Sequence, residues 1–385
     1  MTPAVAPVRI VIAPDSFKGS IGATAATEAL AAGWLLARPG DDVARVPLAD
    51  GGEGTLDVLA AAVAGARWRH DRVTGPGGQP VDCPWLELPG AIAVLELARA
   101  SGLPLLATPD PLGAHTTGLG EVIGRALDGG AREIVITLGG SASTDGGTGA
   151  LAALGARFLD AAGRTLPPGG GALRNLASAD LTGLRPPPAG GVTCLADVAA
   201  PLLGAAGAAA VFGPQKGADP GQIARLDQGL ARLAALLGGD PGAAGAGAAG
   251  GTGYGFAAAW GARIRPGAPE LCRIAGLDHA LHGAELVITG EGRYDRTSLD
   301  GKVAGAVFAA AATAGVPAAL VAGQFTDDPP PVSAAISLSE LAGSPAAALA
   351  APARYLRLAG QRLAAGMVPR GGRERGPLRH RGGDR

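Results

Sequence analysis

Short apolar runs alternate with longer alanine-rich segments along this chain. Residues 8–13 (VRIVIA) precede a helical stretch over 21–36, residues 133–138 (EIVITL) one over 149–159, and residues 286–289 one over 302–314. A last apolar run follows at 318–322. The β-branched runs have the length of buried strands, and the segments between them carry strong helix formers. Alternation of this kind predicts an α/β protein with a parallel sheet. Residues 84–92 and 192–196 are shorter strand-like runs broken by Gly and Pro, which predicts a second, differently built unit in the middle. Residues 304–322 are weakly apolar throughout, but Gly315 and Pro317 interrupt them, so they read as helix, turn and strand and not as a membrane span.

A chain of 385 residues has room for two domains. Its formal net charge of −1 leaves no broad positive footprint for nucleic acid or an anionic membrane, so the expected partner is a small molecule. Glycine is abundant and aromatics make up only 3%, yet the Val/Ile/Leu strands persist. That combination reads as compositional drift over a globular enzyme rather than as disorder. Cys83, Cys194 and Cys272 are far apart and form no C-x-x-C, which argues against a disulfide framework or zinc site. The N-terminus shows no basic region, long apolar core and cleavage site, so a cytoplasmic location is expected. Residues 238–255 are the most linker-like. Their formal G-x-G-x-x-G from Gly245 follows no strand and is a weak basis for a dinucleotide or dehydrogenase reading. Residues 367–385 are expected to be a disordered, solvated tail.

The most informative stretch is GGSASTDGGTG from Gly139, between an apolar strand and a helix. Free N–H groups and the positive end of the helix dipole gather there, and glycine lets backbone approach a phosphate. Asp145 has two readings. One is phosphoryl chemistry, where a metal or a transferable proton compensates an acid in an anion site; the other is an N-cap on a Gly-rich turn. Five further turns carry charge: PDSFKGS (Asp15, Ser16, Lys18), ADGGEGT (Asp50, Glu53), Asp197 after a strand, GPQKGA (Gln215, Lys216) and TGEGRYD (Glu291, Arg293, Asp295). Each alone could be an ordinary cap or solvated turn. Together they supply acids for Mg²⁺ and a base, cations for phosphate and carboxylate oxygens, and backbone for a phosphate chain. No G-x-x-x-x-G-K-[ST] is present, which excludes a P-loop. His279 and His282 read as surface or packed histidines. Tyr254 and Phe256 could stack on an adenine or simply pack.

The segments APDSFKGS, PLADGGEGT, TLGGSASTDGGTGALAALG, VFGPQKGA and GAELVITGEGRYDRTSLDGK resemble the glycerate kinase family of the bacterial glycerate 2-kinase type, over about residues 8–363. The resemblance implies two domains. A flavodoxin-like parallel-sheet domain is built from both chain ends, residues 1–82 and 284–366, and a smaller α/β domain of residues 83–283 is inserted in it. It also implies phosphorylation of D-glycerate by ATP with Mg²⁺, giving 2-phosphoglycerate, with 3-phosphoglycerate as the alternative product. A non-catalytic metabolite sensor is the rival from another class. Thr144 and Ala200 depart from the family, which usually has Asn at both places. Expected roles follow: Lys18 and Lys216 neutralise phosphate or carboxylate oxygens, and Asp15, Ser16, Ser141, Ser143, Gly146, Gln215 and Arg293 hold substrate or phosphate. Asp50, Glu53 and Glu291 hold Mg²⁺. Asp197, at the end of an apolar strand where partial desolvation suits a proton acceptor, is favoured over Asp145 as base.

Overall fold

The structure is a computed structural model and describes residues 6–52 and 54–367. Its strands, in chain order, are β1 (Arg9–Ile12), β2 (Asp42–Arg45), β3 (Arg67–Thr74), β4 (Pro80–Leu88), β5 (Ile92–Glu96), β6 (Glu133–Thr137) and β7 (Arg157–Leu159). They continue with β8 (Ser178–Asp180), β9 (Val192–Leu195), β10 (Arg263–Arg265), β11 (Leu286–Tyr294), β12 (Ala318–Phe325) and β13 (Ala334–Ser337). Both chain ends build one parallel sheet, in the order β13-β12-β11-β1-β2. The middle builds a mixed sheet, β10-β9-β6-β5-β4-β3, in which β4 and β3 run antiparallel. Expected to be the smaller unit, the middle carries six strands to the other sheet's five.

Strand β1 shows why the apolar runs are continuous. Ile10 and Ile12 face a core under the helices Ala23–Ala37 and Pro352–Gly366, whereas Val11 faces a second core under Gly267–Ile274 and Val303–Ala314. A parallel sheet covered on both faces needs apolar side chains in both directions. The small residues have a packing use here: a Cβ at Gly33 would overlap the Arg357 carbonyl, and one at Gly360 the Leu30 carbonyl, so the two covering helices meet backbone to backbone. The helix Gly267–Ile274 is shared. Ala268 and Cys272 pack toward the five-stranded sheet, while Leu271 packs with Leu56, Val94 and Leu195 of the middle.

Three expectations need correction. The helix after β6 spans only Thr148–Ala153, because Gly155 at φ 109° turns the chain into β7. Strand β11 runs on through Tyr294, so GEGRY lies within the strand and not in a loop. Its glycines serve close approach, since a Cβ at Gly292 would lie 3.0 Å from the Lys18 backbone N. The linker-like stretch runs into the helix Ala248–Trp260, which is kinked by left-handed residues at Ala249, Gly250 and Gly251 and is buried from Gly250 through Phe256. No helix among the described residues is long and apolar enough to cross a membrane.

Candidate functional site

The carboxyl ends of β1 and β11 form an acidic corner. The Asp15 N–H donates to Gly290 O (2.8 Å), and its Oδ1 accepts the Ser16 N–H (2.6 Å). Burial pushes the Asp15 carboxyl up to about 6, and the nearby Asp50 charge adds to the effect. Glu291 is pushed up to about 7, again chiefly by burial, and its buried Oε1 has no hydrogen-bond partner. Asp50 sits in a tight turn in which Gly51 adopts φ 96° and the Gly52 N–H donates to Asp50 Oδ1 (3.0 Å). The exposed Lys18 ammonium lies 3.3 Å from Asp50 Oδ2. Asp50 first, then Asp15 and Asp197, hold Lys18 above the ordinary lysine value against the opposing effect of burial. A cavity of about 640 Å³ opens among Asp15, Ser16, Lys18, Asp50 and the start of the helix Ala23–Ala37.

The other half comes from the carboxyl ends of β6 and β9. Gly139, Gly140, Ser141, Asp197, Gln215 and Lys216 line a smaller cavity of about 160 Å³. Asp197 and Gln215 are exposed, so Asp197 stands in solvent rather than in the partly desolvated setting expected of it. Lys216 is the reverse, with 2% exposure, and burial pulls its ammonium down to about 8 while Asp145 opposes the shift. Its Nζ donates to Ser143 O and to Thr144 Oγ1 (3.4 Å). The two halves touch: a Cβ at Gly139 would lie 3.4 Å from Gly52 Cα, and one at Gly51 would lie 3.5 Å from Leu195 Cβ. The Asp197 charge is near enough to act on Lys18.

Asp145 does not face either cavity's solvent. It is fully buried, and its Oδ2 accepts from Thr116 N (2.9 Å), Thr116 Oγ1 (2.8 Å) and Gly149 N (3.2 Å), while Oδ1 accepts from Gly147 N (3.1 Å). The N-cap of the helix Thr148–Ala153 is Gly147, and Asp145 binds the N–H groups of Gly147 and Gly149 on either side of the helix start. Gly146 is likewise drawn inward: its N–H donates to Gly250 O (3.0 Å), and a Cβ there would press on Leu230 and Leu233. Ser143 is buried against the Ser141 hydroxyl (3.2 Å), which leaves Ser141 as the loop serine that lines the cavity. Arg293 is exposed on β11, and strand alternation puts it on the face of Glu291. Glu53 lies outside the described residues. His279 and His282 are exposed, and Tyr254 and Phe256 are core residues, with the Tyr254 hydroxyl donating to Gly238 O.

An acid-lined seam between two sheets, built from these loops in this order, can be compared with known proteins. The profile of the glycerate kinase family matches residues 10–368. The chain belongs to the glycerate kinase family. It is therefore an ATP-dependent kinase. It is 42% identical to the glycerate 2-kinase of Escherichia coli over 83% of this chain and 86% of that protein, and 41% identical to the glycerate kinase of Bacillus subtilis over the same shares. A crystal structure from Salmonella typhimurium LT2, of a protein provisionally called glycerate kinase 2, superposes with a TM-score of 0.84 at 39% identity, covering 94% of this chain and 98% of that one.

The two positions at which the sequence departs from the expected Asn both make hydrogen bonds. Thr144 offers its hydroxyl to Lys216, and the Ala200 carbonyl accepts the Gly247 N–H (2.9 Å). Two residues in the network escaped the sequence reading. Thr116 was signalled only as a small hydroxyl residue before the helix Thr117–Asp128, and Glu96 only as an acid between an apolar strand and a helix.

Proposed function

We propose that this kinase transfers the γ-phosphoryl group of ATP to the 2-hydroxyl of D-glycerate, with Mg²⁺, and releases 2-phosphoglycerate and ADP. The observation that supports this reading is the meeting of the acidic corner with the Asp197 side across the Gly52–Gly139 contact, close enough for the Asp197 charge to act on Lys18. The relatives' names add the substrate class, and the choice of the 2-hydroxyl follows the Escherichia coli glycerate 2-kinase.

The residues fit a divalent cation. Asp15 and Asp50 repel one another, and Glu291 buries an oxygen without a partner; a cation at this corner would relieve both. Among the described residues no three or more ligands form a ready cage. Mg²⁺ needs none, because it keeps several waters and takes one or two carboxylates with phosphate oxygens. When bound it would neutralise charge on the β- and γ-phosphates. Asp15 and Asp50 would hold it directly and Glu291 through its water, and Lys18 would bind phosphate oxygens from the cavity side. Asp197 would orient the glycerate hydroxyl and accept its proton late in transfer, since a loose transition state asks for positioning first. Gln215, Ser141 and Arg293 are proposed for substrate oxygens. Lys216 and Asp145 would hold the Gly139–Gly147 loop in shape.

We also read the five-stranded sheet as a flavodoxin-like domain. Counted within the sheet, its strand order is 2-1-3-4-5, and ligands in such sheets lie beyond the carboxyl ends at the β1/β11 switch point. The domain is assigned to both chain ends, with residues up to 283 inserted. Pairing of β3 with β4 favours starting the insertion before Arg67 rather than at 83. A cytoplasmic location is proposed with ATP use. The activity test is ADP release on adding D-glycerate to enzyme, ATP and Mg²⁺; a sensor would bind without releasing ADP.

A further inference from the structure

A buried carboxylate that lines neither cavity of the site lies at the end of β5. Glu96 is 2% exposed, a placement that costs free energy unless both oxygens are bound. They are. Oε2 accepts the Arg99 Nε–H (3.0 Å), and Oε1 accepts the backbone N–H of Leu56 (3.0 Å), forty residues earlier in the chain. Leu56 lies in the first turn of the helix Thr55–Ala62, whose N-cap is Gly54 and which has no side-chain cap of its own. The missing local cap is supplied by a strand of the six-stranded sheet.

That borrowed cap fixes more than a helix. The Thr55 hydroxyl donates to Gly52 O (2.8 Å), the Gly52 N–H donates to Asp50 Oδ1 (3.0 Å), and Asp50 Oδ2 holds the Lys18 ammonium (3.3 Å). Arg99 braces the same end, its Nη2 standing 3.5 Å from Asp57 Oδ2. Hydrogen bonds joined through the backbone of Gly52 and of Thr55–Leu56 thus link Glu96, on the middle sheet, to the pair of charges facing the large cavity. We propose that Glu96 is a positioning residue for phosphoryl transfer, setting Asp50 and through it Lys18 in register with the carboxyl edge of the six-stranded sheet. The inference rests on the reading of Asp50 as a substrate- or metal-handling group.

The test is a double-mutant cycle on the full-length enzyme, assayed with D-glycerate and Mg-ATP, with melting temperatures recorded for each variant. Glu96→Ala is expected to lower kcat/KM by about 10²-fold, the scale of a misplaced catalytic group. Glu96→Gln keeps an oxygen for the Leu56 N–H and should recover most of that loss; it also serves if the alanine variant does not fold. In an Asp50→Asn background the same Glu96 change should cost less than about threefold, because its target is already gone. If the losses multiply in full, Glu96 acts only on stability and the inference fails while the role of Asp50 stands. If Asp50→Asn alone keeps the parent rate, the site reading fails and this inference falls with it.

Discussion

A carboxyl group buried beside other acids binds its proton more tightly in the folded chain than in the unfolded one. Asp15 and Glu291 are in that position, with values of about 6 and about 7 against ordinary values of 3.8 and 4.5. Their protonated forms favour the fold, so the contribution is complete below about pH 4 and is lost as the pH rises through about 7. Urea denaturation of the cation-free enzyme across that window should show falling stability, and Asp15→Asn with Glu291→Gln should flatten the slope; an unchanged slope would place the effect elsewhere. Asp197 is exposed, so Asp197→Asn should leave stability within about 0.5 kcal/mol and cut turnover by about 10²–10⁴-fold with a modest change in ATP affinity. A near-parent rate would remove it as the base. Lys216 differs, because burial makes it part of the loop's packing. Lys216→Met leaves the Ser143 carbonyl unpaired and should cost about 1–3 kcal/mol as well as activity, measured by denaturation and steady-state kinetics. The charged turns were legible because acids and lysines beside glycines stand out from apolar strands. Their division into exposed Asp197 and Lys18 and buried Asp145 and Lys216 was not, since it depends on which segment covers each side chain.

The elements legible in sequence are those whose burial is two-sided, such as β1, β6 and β12, where apolar runs need no partner to be recognised. Glycine-rich pieces were misread for a shared reason: glycine signals a turn, whereas here it also permits backbone contact. In β11 it admits the Phe17 loop, and at the left-handed kink inside the helix Ala248–Trp260 it lets Gly250 lie against Ser143 and Thr144. A Cβ at Gly250 would overlap the Ser143 carbonyl, and the residue adopts φ 63°. Gly250→Ala should therefore destabilise the protein by about 1–3 kcal/mol or more, with activity falling alongside as the loop shifts. Wild-type stability would mean that the segment gives way easily. The short helix Thr148–Ala153 finds partners for its first N–H groups in side chains outside the helix, Gly149 in the Asp145 carboxylate and Ala150 in the Thr116 hydroxyl.

At the scale of the molecule, the two sheets are joined by the shared helix Gly267–Ile274 and by the Gly52–Gly139 contact, with the carboxyl edges of both sheets bordering one seam. The alternation of strands and helices made the class legible, and the family's motifs gave the order of the loops. Sheet membership was harder to read, because Arg67–Thr74 is so exposed and charged that its pairing with β4 leaves little apolar signal. The central claim is that loops from both sheets act together to phosphorylate D-glycerate at its 2-hydroxyl. Phosphorus NMR of the product formed from D-glycerate, ATP and Mg²⁺ tests it most directly. A phosphate ester signal matching 2-phosphoglycerate, appearing as ADP forms and growing far more slowly with Asp197→Asn, is the predicted result; 3-phosphoglycerate, or no ester at all, would contradict it.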